Sequence, residues 1–394
     1  YDGYIYSKKT MLYSNTDWLD AISRTGTFQD YNIAFRRGTS KGSAMFSLGY
    51  KDNEGILKYT NFKSISGRVN TSYNLSKYVV VGENVTVAKT NQIDPPDVMN
   101  YALKMPSIVP VYEINGTTFG GPVGGMSDRQ NPLRMLYQNR ENNKDVWRIL
   151  GNAYIDIKPL KGLLIRSNFG VDFEEYFKRN ITHTYYSDVV NNATASVTCA
   201  HANDSKWNWS NTAQYDFTYK AHKVSVLGGI ELYKQNRVDF SNYSEGYEIE
   251  TYDYMWPDAS TGTQFAYGNG SGYALVSFFG KLNYNFSDKY LASFTLRRDG
   301  SSRFGSNNRY AMFPAATLGW RISNESFMSK TNPWLSDLKL RASWGKTGNQ
   351  AISNTARYGL YTSDYGQDRG TGTAYDIYLQ NSGTFPSGYR QIQA

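Results

Sequence analysis

The chain has 394 residues, a net charge of +8 and a mean hydropathy of −0.57. No stretch approaches the roughly 18 consecutive apolar residues of a membrane-spanning helix, which excludes a helical membrane protein. Its 34 tyrosines and 35 glycines, against 11 prolines, favour strands and tight turns. The basic residues are dispersed along the chain, so the positive charge does not predict nucleic-acid binding.

The first residues form a polar segment and not a signal peptide, so we expect the mature form or an internal fragment of a longer protein. Residues 1–27 are predicted to be a connection that leads into the first long strand. The single cysteine, Cys199, excludes an internal disulfide.

From residue 28 onward, apolar and polar residues alternate. Over residues 274–286, for example, Phe278 and Leu282 fall on one face while Lys281 and Asn283 fall on the other. This period of two is typical of strands with one apolar and one polar face. Most segments also have the length of about 9–11 residues or more that a tilted strand needs to cross a membrane. We predict twelve such strands: 28–37, 43–50, 61–74, 78–90, 146–157, 162–176, 206–219, 223–236, 273–286, 289–299, 309–321 and 337–347.

Short turns and long loops alternate between these strands. The short turns are predicted at 75–77, 158–161, 220–222 and 287–288, and the long loops at 91–145, 177–205, 237–272 and after 347. Short turns at one rim and long loops at the other are typical of outer-membrane barrels. A connection as long as 91–145 is unusual in a compact domain unless it has a function.

The charged residues predict which face meets lipid. An Arg or Lys on the lipid face at mid-membrane costs about 2–4 kcal/mol, so Lys281, Lys339 and Arg341 are expected to point into a wet lumen. Polar inward residues on many strands predict a large barrel. The predicted fold is therefore all-β, an antiparallel transmembrane β-barrel of which residues 28–347 form the N-terminal part. Residues 348–394 are expected to be a truncated extracellular loop, with closing strands further along the parent protein.

Two stretches carry a resemblance to a known family. The segment "LRRDGSSRFGSNNRYAMFPAATLGWRISNESFM" and the following "WLSDLKLRASWGKTGNQ" resemble the barrel of SusC/RagA-type TonB-linked outer-membrane proteins. Upstream, "NTDWLDAI" and "SLGYKDNEGILKYTNFKSISGRVNTSYNLSKYVVVGENV" are similar to the opening barrel strands of that family. The resemblance covers roughly residues 15–350, and 297–349 is its most specific part.

The resemblance implies a location and a function. Such proteins are importers in the outer membrane of Gram-negative bacteria, with about 22 barrel strands around a plug domain. A TonB box couples them to an inner-membrane energy complex, and a SusD-like surface lipoprotein captures glycans or peptides above the barrel. On this basis the chain holds about twelve of the strands and lacks the plug and the TonB box. The expected ligand is an oligosaccharide or a peptide, and neither nucleic acid nor a cofactor is expected.

The most specific segment also supplies candidate site residues. Within it, Asp299-Gly300 favours a tight turn, and Arg298 and Arg303 are candidates to tie the loop to carboxylates. Packing of the loop and direct contact with ligand both remain open as roles for this segment. Further along, Asn324 and Glu325 predict the N-cap and first turn of a short helix. The signature segment comprises Arg297, Arg298, Asp299, Gly300, Ser301, Ser302, Arg303, Phe304 and Gly305.

Aromatic residues in the loops are candidate substrate contacts. Tyr252, Tyr254 and Trp256 lie in one predicted loop beside acidic residues. Aromatic faces stack on sugar rings, but packing within the loop is the commoner use of such residues.

Catalytic and metal chemistry are not predicted. His183, His201 and His222 lack metal-ligand spacing, and "GNGSG" at 268–272 is expected to precede a strand, which does not suit a phosphate cradle. Two other interpretations remain besides the importer: a passive porin or structural barrel, and a soluble all-β glycan-binding protein. Long apolar faces on successive strands argue against the soluble alternative.

Overall fold

The structure is a computed structural model that describes residues 5–7, 10–11, 14–113, 115–122, 127–187, 190–331, 334–358, 360–364 and 388–393. Strands dominate this part of the chain. Twelve of them form one sheet: β3 (Phe28–Thr39), β4 (Gly42–Glu54), β5 (Asn61–Asn74), β6 (Val79–Ile93), β7 (Lys144–Ile157), β8 (Leu163–Thr182), β9 (Ser196–Tyr219), β10 (His222–Glu245), β11 (Gln264–Phe286), β12 (Tyr290–Ser301), β13 (Tyr310–Arg321) and β14 (Lys339–Gly345).

The remaining elements are small. β1 (Ile5–Ser7) pairs with β2 (Thr10–Met11), and β15 (Leu360–Asp364) pairs with β16 (Gly388–Gln393). The α-helices are α1 (Trp18–Ile22), α2 (Val98–Lys104) and α3 (Pro132–Asn139), none of the described helices being long and apolar enough to cross a membrane. Short 3-10 helices lie at Pro257–Ala259, Ser306–Asn308, Ile322–Asn324 and Ser326–Thr331.

The large sheet is an antiparallel meander in which each strand pairs with its neighbours in sequence, from β3 at one edge to β14 at the other. All twelve predicted strands are present, and the predicted partial antiparallel barrel is confirmed. The three-residue connection between β11 and β12 shows why the local register is well defined. Ser287 and Asp288 both have positive φ, at 52° and 54°, which is the backbone of a type I′ hairpin turn.

The register aligns the alternating residues of neighbouring strands into two chemically distinct faces. Leu318 of β13 lies between Ala292 of β12 and Ala342 of β14, while the adjacent Thr317 lies between Ser293 and Ser343. We call these the apolar face and the polar face. The pattern continues to the other edge, where apolar pairs on the same face are Phe35 with Phe46 and Ile33 with Leu48.

No second layer covers the apolar face within the described residues. Leu318 is 65% exposed and Leu340 63% exposed. Both buried apolar clusters instead lie in the connections and strand ends at one rim of the sheet. An apolar face of this extent, without a packed partner, suits contact with lipid.

The two rims of the sheet differ as predicted. We call one the turn rim, because it carries short connections such as 40–41, 158–162, 220–221 and 287–289. We call the other the loop rim, because it carries the long connections 94–143, 183–195 and 246–263. The longest connection on the turn rim is 322–338.

The predicted long loops are shorter than expected, because four strands extend into them. β8 has 20 residues, β9 and β10 have 24 each, and β11 has 23. A tilted strand of about 9–11 residues already crosses a membrane. The hairpins are tight at the turn rim, so the excess length lies at the loop rim. The prediction that "GNGSG" precedes a strand was therefore wrong, since residues 268–272 lie inside β11.

A helical cap forms at the loop rim from two segments that are far apart in sequence. We define it by α1, α2, α3 and the chain around them. Trp18 and Ile22 of α1 pack against Val98 of α2 and Leu136 of α3, and all four are buried. The indole Nε1 of Trp18 also donates to the carbonyl of Pro106 at 3.2 Å. The described residues of the connection 94–143 thus form an ordered unit and not an extended loop.

Candidate functional site

Ion pairs run across neighbouring strands on the polar face. The guanidinium of Arg148 on β7 bonds the carboxylate of Asp172 on β8 at 3.0 and 3.1 Å. Lys206 on β9 lies 3.6 Å from Asp172 and 3.2 Å from Asp204, which in turn accepts from Gln235 on β10. These contacts link four strands through their polar side chains. Such a face suits a water-filled or plugged lumen and does not suit lipid.

The signature segment lies at the loop-rim end of this face, and its backbone differs from the prediction. Asp299 and Gly300 are not a turn. They belong to β12, where Asp299 pairs with Ala311 and Gly300 with Tyr310, and the chain reverses after Ser301. A Cβ at Gly300 would lie 2.4 Å from the ring of Tyr310. Any larger residue here would have to displace the ring of Tyr310, which covers the backbone of Gly300.

The three arginines of the signature segment have separate partners. Arg297 bonds Asp299 at 2.6 Å, Glu231 of β10 at 3.1 Å and the hydroxyl of Ser277 at 2.9 Å. Arg298, on the opposite face, lies 4.7 Å from the ring centroid of Tyr310. The prediction that Arg298 and Arg303 bond carboxylates was wrong, and Arg297 makes those contacts instead.

Arg303 joins three segments of the chain. Its Nε donates to the side-chain oxygen of Asn354 at 2.7 Å, and its Nη1 donates to the carbonyl of Gln350 at 2.8 Å. The guanidinium also stacks 3.8 Å from the ring centroid of Tyr273 on β11. Arg303 therefore fixes residues 350–354 against the turn after β12.

A cavity of about 590 Å³ lies next to these contacts, and we call it the signature pocket. It opens on the polar face at the loop rim. Residues of the signature segment line one side of it, and residues 346–350 line the other. The lining side chains include Arg297, Asp299, Phe304, Asn308, Arg309, Phe313, Lys346, Asn349 and Gln350.

The predicted aromatic contacts lie elsewhere on the loop rim. Tyr252 and Trp256 enclose the guanidinium of Arg179, with ring centroids 3.7 and 4.0 Å away. Trp256 also stacks on Phe177 with centroids 6.3 Å apart. These two rings pack the connection 246–263 onto β8. Tyr254 differs from them, since 63% of its surface is exposed.

The segment "NESFM" on the turn rim is helical in part, but not as predicted. Asn324 ends one 3-10 helix and its side-chain amide donates to the carbonyl of Asp288 at 3.0 Å, and Glu325 lies between two such helices. The carboxylate of Glu325 accepts from Lys289 Nζ at 2.9 Å, from the Tyr290 hydroxyl at 2.8 Å and from Trp320 Nε1 at 3.1 Å. These donors, Lys289 first, hold the pKa of Glu325 at about 2, below its ordinary 4.5. Glu325 thus joins the long turn to β12 and β13.

The three histidines have protein partners. His201 lies 2.8 Å from Glu175, His183 lies 3.3 Å from Glu250, and His222 bonds the hydroxyl of Tyr284 at 2.7 Å. Among the described residues, no group of three or more His, Cys, Asp or Glu side chains is placed to hold a metal ion.

A wide antiparallel meander with one apolar face and one charged face is the architecture of a transmembrane β-barrel wall. The chain is 31% identical over 380 residues to the TonB-dependent receptor SusC of Bacteroides thetaiotaomicron, covering 88% of this chain and 36% of that receptor. It is 29% identical over 354 residues to the TonB-dependent receptor P26 of Formosa agariphila, covering 88% of this chain and 35% of that receptor. No family model matches the chain.

Solved structures agree with these relatives. A chain of the RagAB peptide transporter matches with a TM-score of 0.80 and 25% identity, covering 99% of this chain and 43% of that one. The RagAB peptide importer in its open-open state matches with a TM-score of 0.78 and 26% identity, covering 92% of this chain and 41% of that one. The resemblance to the SusC/RagA family is thus confirmed, and the chain is a SusC/RagA-like stretch of TonB-dependent receptor barrel. It spans well under half the length of these relatives.

Proposed function

We propose that the chain forms part of the wall of a TonB-dependent importer in the outer membrane of a Gram-negative bacterium. The observation that carries this proposal is the uncovered apolar face opposite a polar face, which is present in β3 and β4 at one edge of the sheet and in β12–β14 at the other. Its similarity to named TonB-dependent receptors supports active import over a passive pore. The role is translocation and not catalysis.

The proposed substrates are glycans or peptides, captured together with a SusD-like surface lipoprotein above the loop rim. TonB would drive this import in the whole protein. The names of similar proteins support glycans or peptides as substrates. One sequence relative is named SusC, and one similar solved structure is described as a peptide transporter. The ordered helical cap and the extended β8–β11 supply a broad surface at the loop rim for such a partner.

Labelling of intact cells tests the location and orientation. In the full-length protein, a cysteine at the exposed Thr117 on the loop rim is expected to react with a membrane-impermeant maleimide. A cysteine at the exposed Lys161 on the turn rim is expected to react only after the cells are opened. If only Lys161→Cys is labelled on intact cells, the turn rim faces outward and the proposed orientation is wrong. Equal labelling of both variants on intact cells would contradict a membrane-spanning wall.

Uptake measurements test the activity. Cells that carry the full-length protein are supplied with pools of labelled oligosaccharides or oligopeptides, with and without TonB. Uptake of one pool is expected to require both this protein and TonB. Uptake that persists without TonB would favour the passive porin.

A further inference from the structure

The signature pocket holds more positive charge than its own residues balance. Arg297 is neutralised, because Asp299 and Glu231 both bond its guanidinium. Arg309 and Lys346 also line the pocket, and both are exposed. Within the described part of the chain, neither of these two side chains has a hydrogen-bond, ion-pair or ring partner. Two unpaired cations therefore face one cavity.

The wall of the same pocket holds an unused hydrogen-bond acceptor. The side-chain oxygen Oε1 of Gln350 is buried and has no partner among the described residues. Its backbone is fixed, because Arg303 donates to the Gln350 carbonyl. A buried polar atom without a partner is costly. Gln350 as a whole is only partly buried, so rotation of its side chain would bring Oε1 to the cavity, where a ligand N–H or O–H donor would satisfy it. Phe304 and Phe313 add apolar surface to the lining.

We propose that the signature pocket binds a carboxylate that has a hydrogen-bond donor beside it. The carboxylate would lie against Arg309 and Lys346, and the neighbouring donor would bond Gln350. An acidic sugar residue offers this chemistry through its carboxylate and hydroxyl groups, and the C-terminal residue of a peptide offers it through its carboxylate and amide N–H. The inference rests on the proposed import function, of which the pocket would be a substrate subsite.

The local charges favour one singly charged group. Asp299 also lines the pocket, and Glu231 lies just beyond Arg297. Their negative charge opposes a second charge on the ligand, while Arg309 and Lys346 together suit the two oxygens of one carboxylate. The volume of about 590 Å³ is in the range of small-molecule sites and accommodates one or two residues of a chain.

Binding to the purified full-length protein in detergent tests the proposal. The probes are digalacturonate and its neutral counterpart galactobiose, trialanine with a free carboxyl terminus and its C-terminal amide, and inorganic phosphate. Calorimetry is expected to show binding of at least one of the two carboxylates and weaker or no binding of its neutral counterpart. Digalacturonate alone would identify an acidic glycan, trialanine alone a peptide terminus, and both a general carboxylate site.

Charge-removing variants connect the binding to the pocket. The double variant Arg309→Gln/Lys346→Gln is expected to weaken carboxylate binding by roughly tenfold or more, because it removes two charge-assisted bonds. Lys281→Gln removes one charge from the same face outside the pocket and is expected to change affinity by less than about twofold. Both variants replace exposed side chains, and heat-modifiability on gels checks that they fold.

Several outcomes would overturn the inference. They are equal affinity for acidic and neutral probes, unchanged affinity in the double variant, or phosphate binding as tightly as the carboxylates. Measurements of uptake distinguish failure of the proposed subsite from failure of the proposed import function. If TonB-dependent import persists while the pocket shows no carboxylate preference, the importer stands and only the subsite is wrong.

Discussion

At the scale of single residues, Glu325 shows how one carboxylate connects the long turn 322–338 to the neighbouring strands β12 and β13. It accepts from Lys289, Tyr290 and Trp320, and its pKa is lowered from 4.5 to about 2. A carboxylate with a lowered pKa stabilises the folded state above its unfolded pKa, and that contribution disappears as the pH falls through its folded pKa.

Glu325→Gln in the full-length protein is therefore expected to lower the thermal unfolding temperature at pH 6. The difference from wild type should shrink as the pH falls from about 4.5 toward 2, because wild-type Glu325 becomes protonated over that range. Thermal melts followed by circular dichroism at several pH values measure this. Asp258→Asn, in a loop-rim connection, serves as a control. A difference that grows on acidification would contradict the assigned pKa.

Because the two faces of β14 meet different environments, adding a charge to one face and removing a charge from the other are expected to affect membrane assembly differently. Leu340 and Arg341 are adjacent, but Leu340 lies on the apolar face and Arg341 on the polar face. Leu340→Arg is expected to block membrane assembly of the full-length protein far more than Arg341→Leu, since an Arg on the lipid face costs about 2–4 kcal/mol at mid-membrane. Heat-modifiability on gels reports assembly. Equal assembly of the two variants would refute the assignment of the faces.

The face of each residue was predictable from sequence, but several contacts were not. Alternation of apolar and polar residues is a local signal, and it assigned Lys281, Lys339 and Arg341 to the polar face correctly. Asp299-Gly300 was misread as a turn because the pair is a favoured turn sequence in general. The true reason for Gly300 is the ring of Tyr310, and no local pattern identifies a contact with the next strand.

At the scale of elements, the strands were predicted well near the turn rim and poorly near the loop rim. Strand ends such as Ile157, Tyr219 and Phe286 lie at tight turns that the sequence marks clearly. At the loop rim, β8–β11 continue beyond the membrane-spanning region, in which one face of each strand must be apolar to contact lipid. The alternating pattern stops there although the backbone pairing does not, so the prediction ended the strands too early.

The helical cap was not predicted, because its core joins residues from both ends of the β3–β6 meander. Trp18 is 3% exposed, while the adjacent Leu19 in the same helix is 41% exposed. Trp18→Ala is expected to destabilise the cap by about 3–5 kcal/mol, the usual cost of removing a large buried aromatic side chain. The sheet should remain assembled, since the buried cluster that contains Trp18 consists of residues from the cap helices and the chain around them and not from the sheet strands.

Limited proteolysis of the full-length protein in detergent measures this local effect. Trp18→Ala should speed cleavage within residues 94–143 and leave heat-modifiability unchanged. Leu19→Ala is the matched control and should leave the cleavage rate near that of wild type. Loss of the whole fold in Trp18→Ala would show that the cap and the sheet are one cooperative unit.

At the scale of the whole molecule, the sheet has two features that a soluble protein avoids. The first is the uncovered apolar face, far larger than the few hundred Å² that a soluble monomer usually exposes. The second is a pair of edge strands, β3 and β14, which have no further strand paired to them among the described residues and are largely exposed along their length. A closed barrel in a membrane removes both problems, because lipid covers the outer face and pairing satisfies every edge.

Residues 1–394 expressed alone are therefore expected not to form a stable, soluble monomer. The free backbone groups of β3 and β14 recruit other chains, and the apolar face adds a large associating surface. In lipid, each unsatisfied backbone group costs several kcal/mol, so the open sheet does not persist there either. Size-exclusion chromatography with light scattering in detergent-free buffer is expected to show large or polydisperse species. The full-length protein in detergent, as the control, should give a defined peak. A sharp monomer peak from residues 1–394 with cooperative unfolding would refute both this expectation and the membrane role of the apolar face.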